Sequence, residues 1–204
     1  EMNAMADLVD SGKIRSIGLS EMSAEMLRRA NGGHDIAAMQ SEYSLIARNP
    51  EIAVLDACTE LGTTFVAFSP VGRGLFAQAP LNPETYWEGD MRRAYFPRLA
   101  DPHFSENMKL VDQARTLAED LGCTLPQLAI AWVLAKSSDI VTIPGTKSLD
   151  HLKENIGANE VTLSPEIVAR LDEIFRPEVI SGARYNADGQ ASVTTECFPF
   201  ETLA

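Results

Sequence analysis

Along the chain, stretches with an apolar period of two alternate with stretches whose apolar positions recur every three or four residues. Ile14-Arg-Ser-Ile-Gly-Leu19 alternates into a short strand after the turn Ser11-Gly12-Lys13. A helix is expected next, with Ser23 at its N-cap, Met26, Leu27 and Ala30 on its apolar face, and Asn31-Gly32-Gly33 at its end. Ile36-Ala-Ala-Met-Gln40 reads as a second strand. Pro50 opens a helix in which Ile52, Val54, Leu55, Cys58 and Leu61 keep the 3.6 period as far as Gly62. Thr63-Thr-Phe-Val-Ala-Phe68 is a third strand, closed by Ser69-Pro70.

From Gly72 onward no period holds, and Pro80, Pro83, Pro97 and Pro102 break the stretch, so residues 72–106 are expected to form one long loop. Helical spacing returns from Asn107 to Leu121 and again from Thr124 to about Ala135, with Pro126 just inside the first turn. Ile140-Val-Thr-Ile143 is a fourth strand, and a helix starts at Ser148. A last helix, Ser164 to Phe175, is expected to open with a capping box in Ser164-Pro-Glu-Ile. The Gly/Asn/Asp-rich tail, residues 177–204, is expected to be irregular.

Strands that alternate with helices imply a parallel sheet with crossover helices. A doubly wound open sheet and part of a (βα)8 barrel both satisfy that. No G-x-G-x-x-G follows the first strand, which weakens the nucleotide-binding open sheet. A barrel carries its chemistry at the C-terminal ends of its strands, and here those ends are polar: Ser20-Glu21, Gln40-Ser41-Glu42, Ser69-Pro70 and Gly145-Thr146-Lys147. The barrel is the better reading.

The chain has 204 residues with 45% hydrophobic composition, enough for one domain with a sizeable core. Its net charge of −12 argues against a nucleic-acid or anionic-membrane partner, since both would repel it. Cys58, Cys123 and Cys197 are odd in number, far apart and without C-x-x-C spacing. That suits a reducing cytoplasm, with no zinc site or disulfide framework. No apolar run is long enough to span a bilayer, and Glu1-Met-Asn-Ala is no signal peptide; it reads as the middle of a helix rather than a translation start.

The segment after the fourth strand bears the clearest chemistry. Backbone N–H groups at a helix N-terminus, with the positive dipole end, cradle phosphate. Gly145 would let a ligand approach the backbone, Lys147 adds charge, and Thr146 and Ser148 offer hydroxyls. An ordinary capped helix with a solvated lysine fits the same residues.

Four motifs together resemble the aldo-keto reductases: Gly12-Lys-Ile-Arg-Ser-Ile-Gly-Leu-Ser20, Gln40-Ser-Glu-Tyr-Ser44, Phe68-Ser-Pro-Val-Gly-Arg-Gly74, and Ile143-Pro-Gly-Thr-Lys147 with Glu154-Asn155. They stand in the family's order over residues 1 to about 175, and the resemblance corresponds to the C-terminal half, from the helix before the fifth strand onward. It implies a (βα)8 barrel that binds NADP(H), or NAD(H), and reduces aldehydes and ketones by hydride transfer. This chain would supply four strand–helix units, the last helix and the tail. The family's catalytic Asp, Tyr, Lys and His are borne on the earlier strands, so the resemblance implies no catalytic residue here. Tyr43, Lys147 and His151 match cofactor-side or strand-end positions, and His34 and His103 read as solvated loop histidines.

Carried over residue by residue, the resemblance implies that Ser20 and Gln40 hydrogen-bond the nicotinamide carboxamide and that Phe68 stacks on its ring. Ser69, Pro70, Val71, Gly72 and Arg73 would wrap the pyrophosphate. Gly145 and Lys147 would meet the adenosine 2′-phosphate, His151 would sit over it, and Glu154 and Asn155 would bind the adenine edge. Glu21 departs from the family's usual Asn, and His151 from its Arg or Gln. Arg92, Arg93 and Arg98 could form a lid over the phosphates, but ion pairs with Glu88, Asp90 and Asp101 are the favoured expectation.

Two functions follow: the cofactor-binding half of a carbonyl reductase acting on a small-molecule carbonyl, or a non-catalytic nucleotide-binding or interaction half-barrel. Either leaves unpaired edges at the first and fourth strands, to be closed by a missing N-terminal half or by a second copy.

Overall fold

A computed structural model describes residues 2–79 and 81–203; Glu1, Pro80 and Ala204 lie outside the described residues. After helix α1 (Met2–Asp10), four parallel strands form one sheet: β1 (Ile17–Ser20), β2 (Ile36–Glu42), β3 (Thr64–Phe68) and β4 (Ile140–Ile143). Their order in space is their order in the chain, β1-β2-β3-β4. Helices α2 (Ala24–Asn31) and α3 (Val54–Leu61) make the first crossovers. Helices α4 (Met91–Tyr95), α5 (His103–Asp120) and α6 (Leu125–Ala135) fill the longer third connection. Helices α7 (Leu149–Gly157), α8 (Pro165–Ile174) and α9 (Ala187–Gln190) follow the sheet.

Sequential order decides between the two architectures. Right-handed crossovers between successive neighbours put every helix on the same side, whereas a doubly wound sheet reverses its order and covers both faces. Side chains divide accordingly. Met39, Phe65 and Ile140 pair across the sheet and are buried in the core with the helices, whereas Val141 and Ile143 on β4 are each 46% exposed. The sheet is covered on one side, and among the described residues β1 and β4 pair with no further strand, unlike the two-sided cover of a doubly wound sheet.

Helix α6 explains how the covered side is sealed. Its apolar residues run all round it, and eight of its eleven residues are buried. Trp132 meets Tyr43 at 5.3 Å, Tyr43 meets Phe65 edge-on at 5.9 Å, and Phe76 meets Phe175 at 5.5 Å. Such aromatic pairs contribute about 0.5–1.5 kcal/mol each beyond their burial.

Several expected boundaries shift. Strand β1 starts at Ile17 rather than Ile14, and β2 continues two residues past Gln40 to Glu42 because β3 pairs with it that far. The 72–106 stretch is no structureless loop: 3-10 turns occupy Gly72–Gly74, Pro83–Thr85 and Pro97–Leu99, α4 is capped by Asp90, and α5 begins at His103, ahead of Asn107. Asp101 Oδ1 accepts from the Ser105 N–H at 3.1 Å, which fixes that earlier start. His103 is accordingly not a solvated loop residue; its Nδ1 lies 2.8 Å from Ser181 Oγ. The capping box belongs to Thr124 and Gln127 at the head of α6, while Ser164 caps α8 one-sidedly because Ile167 stands where a Glu or Gln is required. The tail, expected to be irregular, carries a 3-10 turn at Pro177–Val179 and α9, and folds back over the C-terminal ends of β1 and β2.

Candidate functional site

At the C-terminal edge of the sheet, Ser20, Gln40 and Val66 share a register row on the face away from the helices, and Glu42, Phe68 and Ile143 form the next row. Ser20 and Gln40 are thereby neighbours across β1 and β2, and Phe68 lies one row further on, half-buried at the end of its strand.

Beyond β3 the chain turns sharply. Ser69 (φ 52°) and Arg73 (φ 54°) adopt left-handed backbone, as does Glu21 (φ 55°) after β1; these are the non-glycine residues with positive φ among those described. Such strain gathers at ligand clamps and active sites. Gly72 (φ 56°) cannot be replaced freely, because a Cβ there would lie 2.9 Å from the Phe76 ring. The turn is closed by Gly72 N–H to Ser69 O at 2.9 Å and Gly74 N–H to Val71 O at 3.1 Å.

Between this turn and the first turns of α7 lies an open cavity of about 200 Å³. Val71, Ala77, Ala79 and Pro126 form its apolar wall; Gly145, His151, Glu154 and Asn155 form the polar one. Asn155 is largely buried as a residue, and its side chain contributes to the cavity wall. Gly145 has nothing within 4 Å of where a Cβ would stand, so the backbone beside Asn155 is open. Thr146 and Ser148 do not offer free hydroxyls: Thr146 Oγ1 accepts from the Ser148 N–H at 3.1 Å, and Ser148 Oγ caps α7 through the His151 N–H. Lys147 is exposed and does not line the cavity.

The other half of the strand-end region is filled by charge. Glu42, 4% exposed, receives Arg73 Nε and Nη2 at 2.9 Å each and Arg184 Nε at 3.0 Å. Arg184 also bonds the Glu21 carboxylate, which itself accepts from the Glu42 N–H at 3.0 Å. Burial pushes the Glu42 carboxyl up, but Arg184 and Arg73 outweigh it and hold the group below its ordinary range. Arg73 lies 3.8 Å from the centre of the Phe96 ring, so the side chain assigned to a pyrophosphate is here held by a carboxylate and an aromatic face.

Of the arginines expected in ion pairs with Glu88, Asp90 and Asp101, Arg92 does pair with Asp90 at 2.7 Å. Arg93 reaches the Pro83 carbonyl at 3.4 Å, and Arg98 is buried on Glu201 at 2.6 Å rather than on Asp101. Burial brings the Arg98 guanidinium down to about 10, against the pull of Glu201.

Glu196 and Glu201 complete the tail's attachment. Glu196 Oε1 accepts from the Ala24 N–H at 2.8 Å at the head of α2, and Glu201 Oε2 accepts from Asn49 at 2.7 Å. Glu42, Arg184, Glu196 and Glu201 went without a role in the sequence reading. Only Glu42 carried a local signal, its place at a polar strand end.

Tyr43 is fully buried on the helix side, where its hydroxyl donates to Glu51 Oε1 at 2.6 Å. Burial, then the Glu51 charge, drives its pKa upward. No group of His, Cys, Asp and Glu fit to hold a metal occurs among the described residues, and no described helix is long and apolar enough to cross a membrane.

The model of the Aldo/keto reductase family matches residues 1–176. The chain is 40% identical over 186 residues to aldo-keto reductase str7 of Strobilurus tenacellus, and 42% identical over 187 residues to aldo-keto reductase yakc [NADP(+)] of Schizosaccharomyces pombe. Each alignment covers 90% of this chain and 55% of the relative, so the chain spans about half the length of these relatives. Among solved structures, a thermostable aldo-keto reductase bound to the inhibitor epalrestat superposes with a TM-score of 0.62 at 30% identity, over 85% of this chain and 53% of that one. The glycerol dehydrogenase AKR11B4 of Gluconobacter oxydans superposes with a TM-score of 0.77 over 98% of this chain and 57% of its own; at 21% identity it speaks for the fold. The family match runs from the chain's first residue, so the narrower expectation of a C-terminal half is not borne out by it.

Proposed function

The chain belongs to the aldo/keto reductase family, and from that premise we propose that it is the cofactor-binding part of an NADP(H)-dependent reductase of aldehydes or ketones. The observation that carries the reading is the cavity between the 69–74 turn and α7, with Gly145, His151, Glu154 and Asn155 in its polar wall. The NADP(+) in the name of the fission-yeast relative supports the choice of dinucleotide, with NAD(H) as the lesser ligand.

When bound, the nicotinamide would supply or accept a hydride. The chain's part is to hold it. Ser20 and Gln40 would bind the carboxamide, and Phe68 would support the ring. Ser69, Pro70, Val71, Gly72 and Arg73 would border the pyrophosphate, Arg73 exchanging Glu42 for it. Gly145, Lys147, His151, Glu154 and Asn155 would take the adenosine end. The four parallel strands, whose outer edges pair with no described residue, support a partial barrel in this reading; the remaining strands would come from further sequence of the same protein or from a second copy, and the proton donor with them. Free cysteines fit a cytoplasmic setting.

A second reading, a nucleotide-binding partial barrel without chemistry, is favoured by one observation: Tyr43 is sequestered on Glu51. Fluorescence titration with NADPH, followed by an aldehyde-reduction assay, separates the readings. Saturable binding, weakened about tenfold by Asn155→Leu, is expected. Absence of saturable binding removes both readings, and binding without turnover by the complete barrel leaves the second.

A further inference from the structure

Two guanidiniums share the buried Glu42 carboxylate, and they are held in different ways. Arg73 comes from the 69–74 turn, with Nε on Oε1 and Nη2 on Oε2 at 2.9 Å each. Arg184 comes from the tail, with Nε on the same Oε2 at 3.0 Å. The Arg184 side chain is 4% exposed and that of Arg73 22%, so Arg73 is the one a ligand can reach. The other Arg184 nitrogens are engaged as well: Nη2 donates to Glu21 and to the Tyr185 hydroxyl, Nη1 to Thr195 Oγ1 at 3.4 Å, and the backbone N–H to Glu201 Oε1 at 3.2 Å. Arg184 also lies beyond the residues 1–176 that the family model matches. Resting on the cofactor reading above, we propose that Arg184 is a positioning residue for the dinucleotide: it stays on Glu42 as the resident counter-ion and so lets Arg73 leave that carboxylate for the pyrophosphate.

The neighbouring charges make the second arginine necessary. Glu42 and Glu21 are adjacent, joined by the Glu42 N–H to Glu21 Oε1 at 3.0 Å, and their side chains are 5% and 12% exposed. With Arg184 in place, withdrawal of Arg73 leaves both carboxylates on a common guanidinium. Without it, withdrawal strands one buried carboxylate beside another, which is far costlier than exchanging one partner for the next. Arg98 lines the same small cavity as Glu42 but cannot stand in, because its Nη2 is on Glu201 at 2.6 Å, its Nε on the Gly182 carbonyl at 3.0 Å and its Nη1 on the Ile46 carbonyl.

Glu42 and the pyrophosphate are therefore competitors for one guanidinium, and Arg184 sets the balance between them. Arg73 is free to change sides: besides Glu42 it has only a 3.4 Å contact to the Tyr185 hydroxyl and the faces of aromatic rings, Phe96 nearest at 3.8 Å. Its neighbours Val71 and Gly74 line the cavity beside α7, so the side chain stands next to the ligand's path. If Arg184 is lost, Arg73 stays on Glu42 and the pyrophosphate forgoes its charge-assisted partner. Arg184 thus acts on the ligand without touching it.

The test is a set of fluorescence titrations of the purified protein with NADPH and NADH. Arg184→Met should weaken both about tenfold, as Arg73→Ala does, and the double variant should lose no more than either alone, because both act at one contact. Glu42→Gln removes the competitor: alone it should tighten both dinucleotides, and in the Arg184→Met background it should restore the affinity. Arg184→Lys, which keeps a cation beside Glu42, should retain most of it. Adenosine 2′-monophosphate, which has no pyrophosphate, should bind Arg184→Met as it binds the parent, whereas a general loosening of the fold would weaken it too. Glu42→Gln alone makes the same test in a protein that keeps Arg184, independently of how well Arg184→Met folds. Losses that add to about a hundredfold in the double variant overturn the proposal, as do unaltered or weaker binding in Glu42→Gln and unaltered binding in Arg73→Ala. Failure of both dinucleotides to bind the parent protein would instead reject the cofactor reading.

Discussion

Arg184 Nε donates to Glu42 Oε2 across 3.0 Å while its Nη2 donates to Glu21 Oε2, so one guanidinium ties the ends of β1 and β2 together. All three side chains are largely buried, with 4% exposure at Arg184, 5% at Glu42 and 12% at Glu21. Deleting one partner of such a set leaves uncompensated buried charge, at a cost of about 3–5 kcal/mol. Arg184→Met should destabilise the protein by that order in urea unfolding, and Arg184→Lys, which keeps the charge but loses the fork, by less. A change within about 0.5 kcal/mol for Arg184→Met would show that the clasp contributes nothing.

The same carboxylate sets an acid limit. Arg184 and Arg73 lower the Glu42 pKa in the folded state, against the effect of burial, so the folded protein binds the proton less well than the unfolded chain does. The stabilisation is fully present above the ordinary carboxylate value of about 4.3 and is lost as pH falls through the lower folded value. Melting temperature measured from neutral pH downward should therefore fall less steeply in Glu42→Gln than in the parent. Parallel curves would rule Glu42 out as a source of the acid limb.

Gly72 and Gly145 should separate fold from binding. Alanine at Gly72 must adopt φ 56° with its Cβ 2.9 Å from the Phe76 ring. A loss of about 2–4 kcal/mol is expected from the two effects together. Alanine at Gly145 meets no atom within 4 Å and should leave unfolding unchanged while weakening NADPH binding. Equal stability losses at the two positions would contradict this division.

Arg73 lies near no 2′-phosphate under the proposed arrangement, only the pyrophosphate common to both dinucleotides. Arg73→Ala should accordingly weaken NADPH and NADH by the same factor, about tenfold. Unaltered affinity for both would leave Arg73 as a partner of Glu42 alone.

Purified as it stands, the chain should not turn over an aromatic aldehyde with NADPH, because proton donation to the carbonyl oxygen contributes about 10²–10⁴-fold and its tyrosines near the strands are otherwise engaged. Tyr43 is bound to Glu51 on the other side of the sheet, and the Tyr185 hydroxyl accepts from Arg184 at 3.2 Å and from Arg73 at 3.4 Å. Turnover by the chain, lost in Tyr43→Phe, would refute this.

What the sequence disclosed depended on how far apart the cooperating residues stand. Strands and helices were legible because period and caps are local, as at Ser23, whose hydroxyl does accept from the Met26 N–H at 3.2 Å. The cavity wall of Gly145, His151, Glu154 and Asn155 was legible because one turn and one helix supply it. Arg184 was not. It stands in a stretch whose composition reads as irregular, and its partners lie 142 and 163 residues earlier. Lys147, exposed and outside the cavity lining, shows the related difficulty: charge and spacing are visible in a sequence, whereas the direction a turn faces is not.

That separation along the chain also orders events during biosynthesis. Glu42 emerges 142 residues ahead of Arg184. At about 5–20 residues per second, roughly 7 to 28 seconds pass before the guanidinium can reach it. During that interval the ends of β1 and β2 carry two carboxylates, joined by Arg73 only after 31 further residues, and the α2 head lacks its Glu196 cap. The C-terminal ends of β1 and β2 thus gain their clasp only once Arg184 has left the ribosome, and the α2 head gains Glu196 later still.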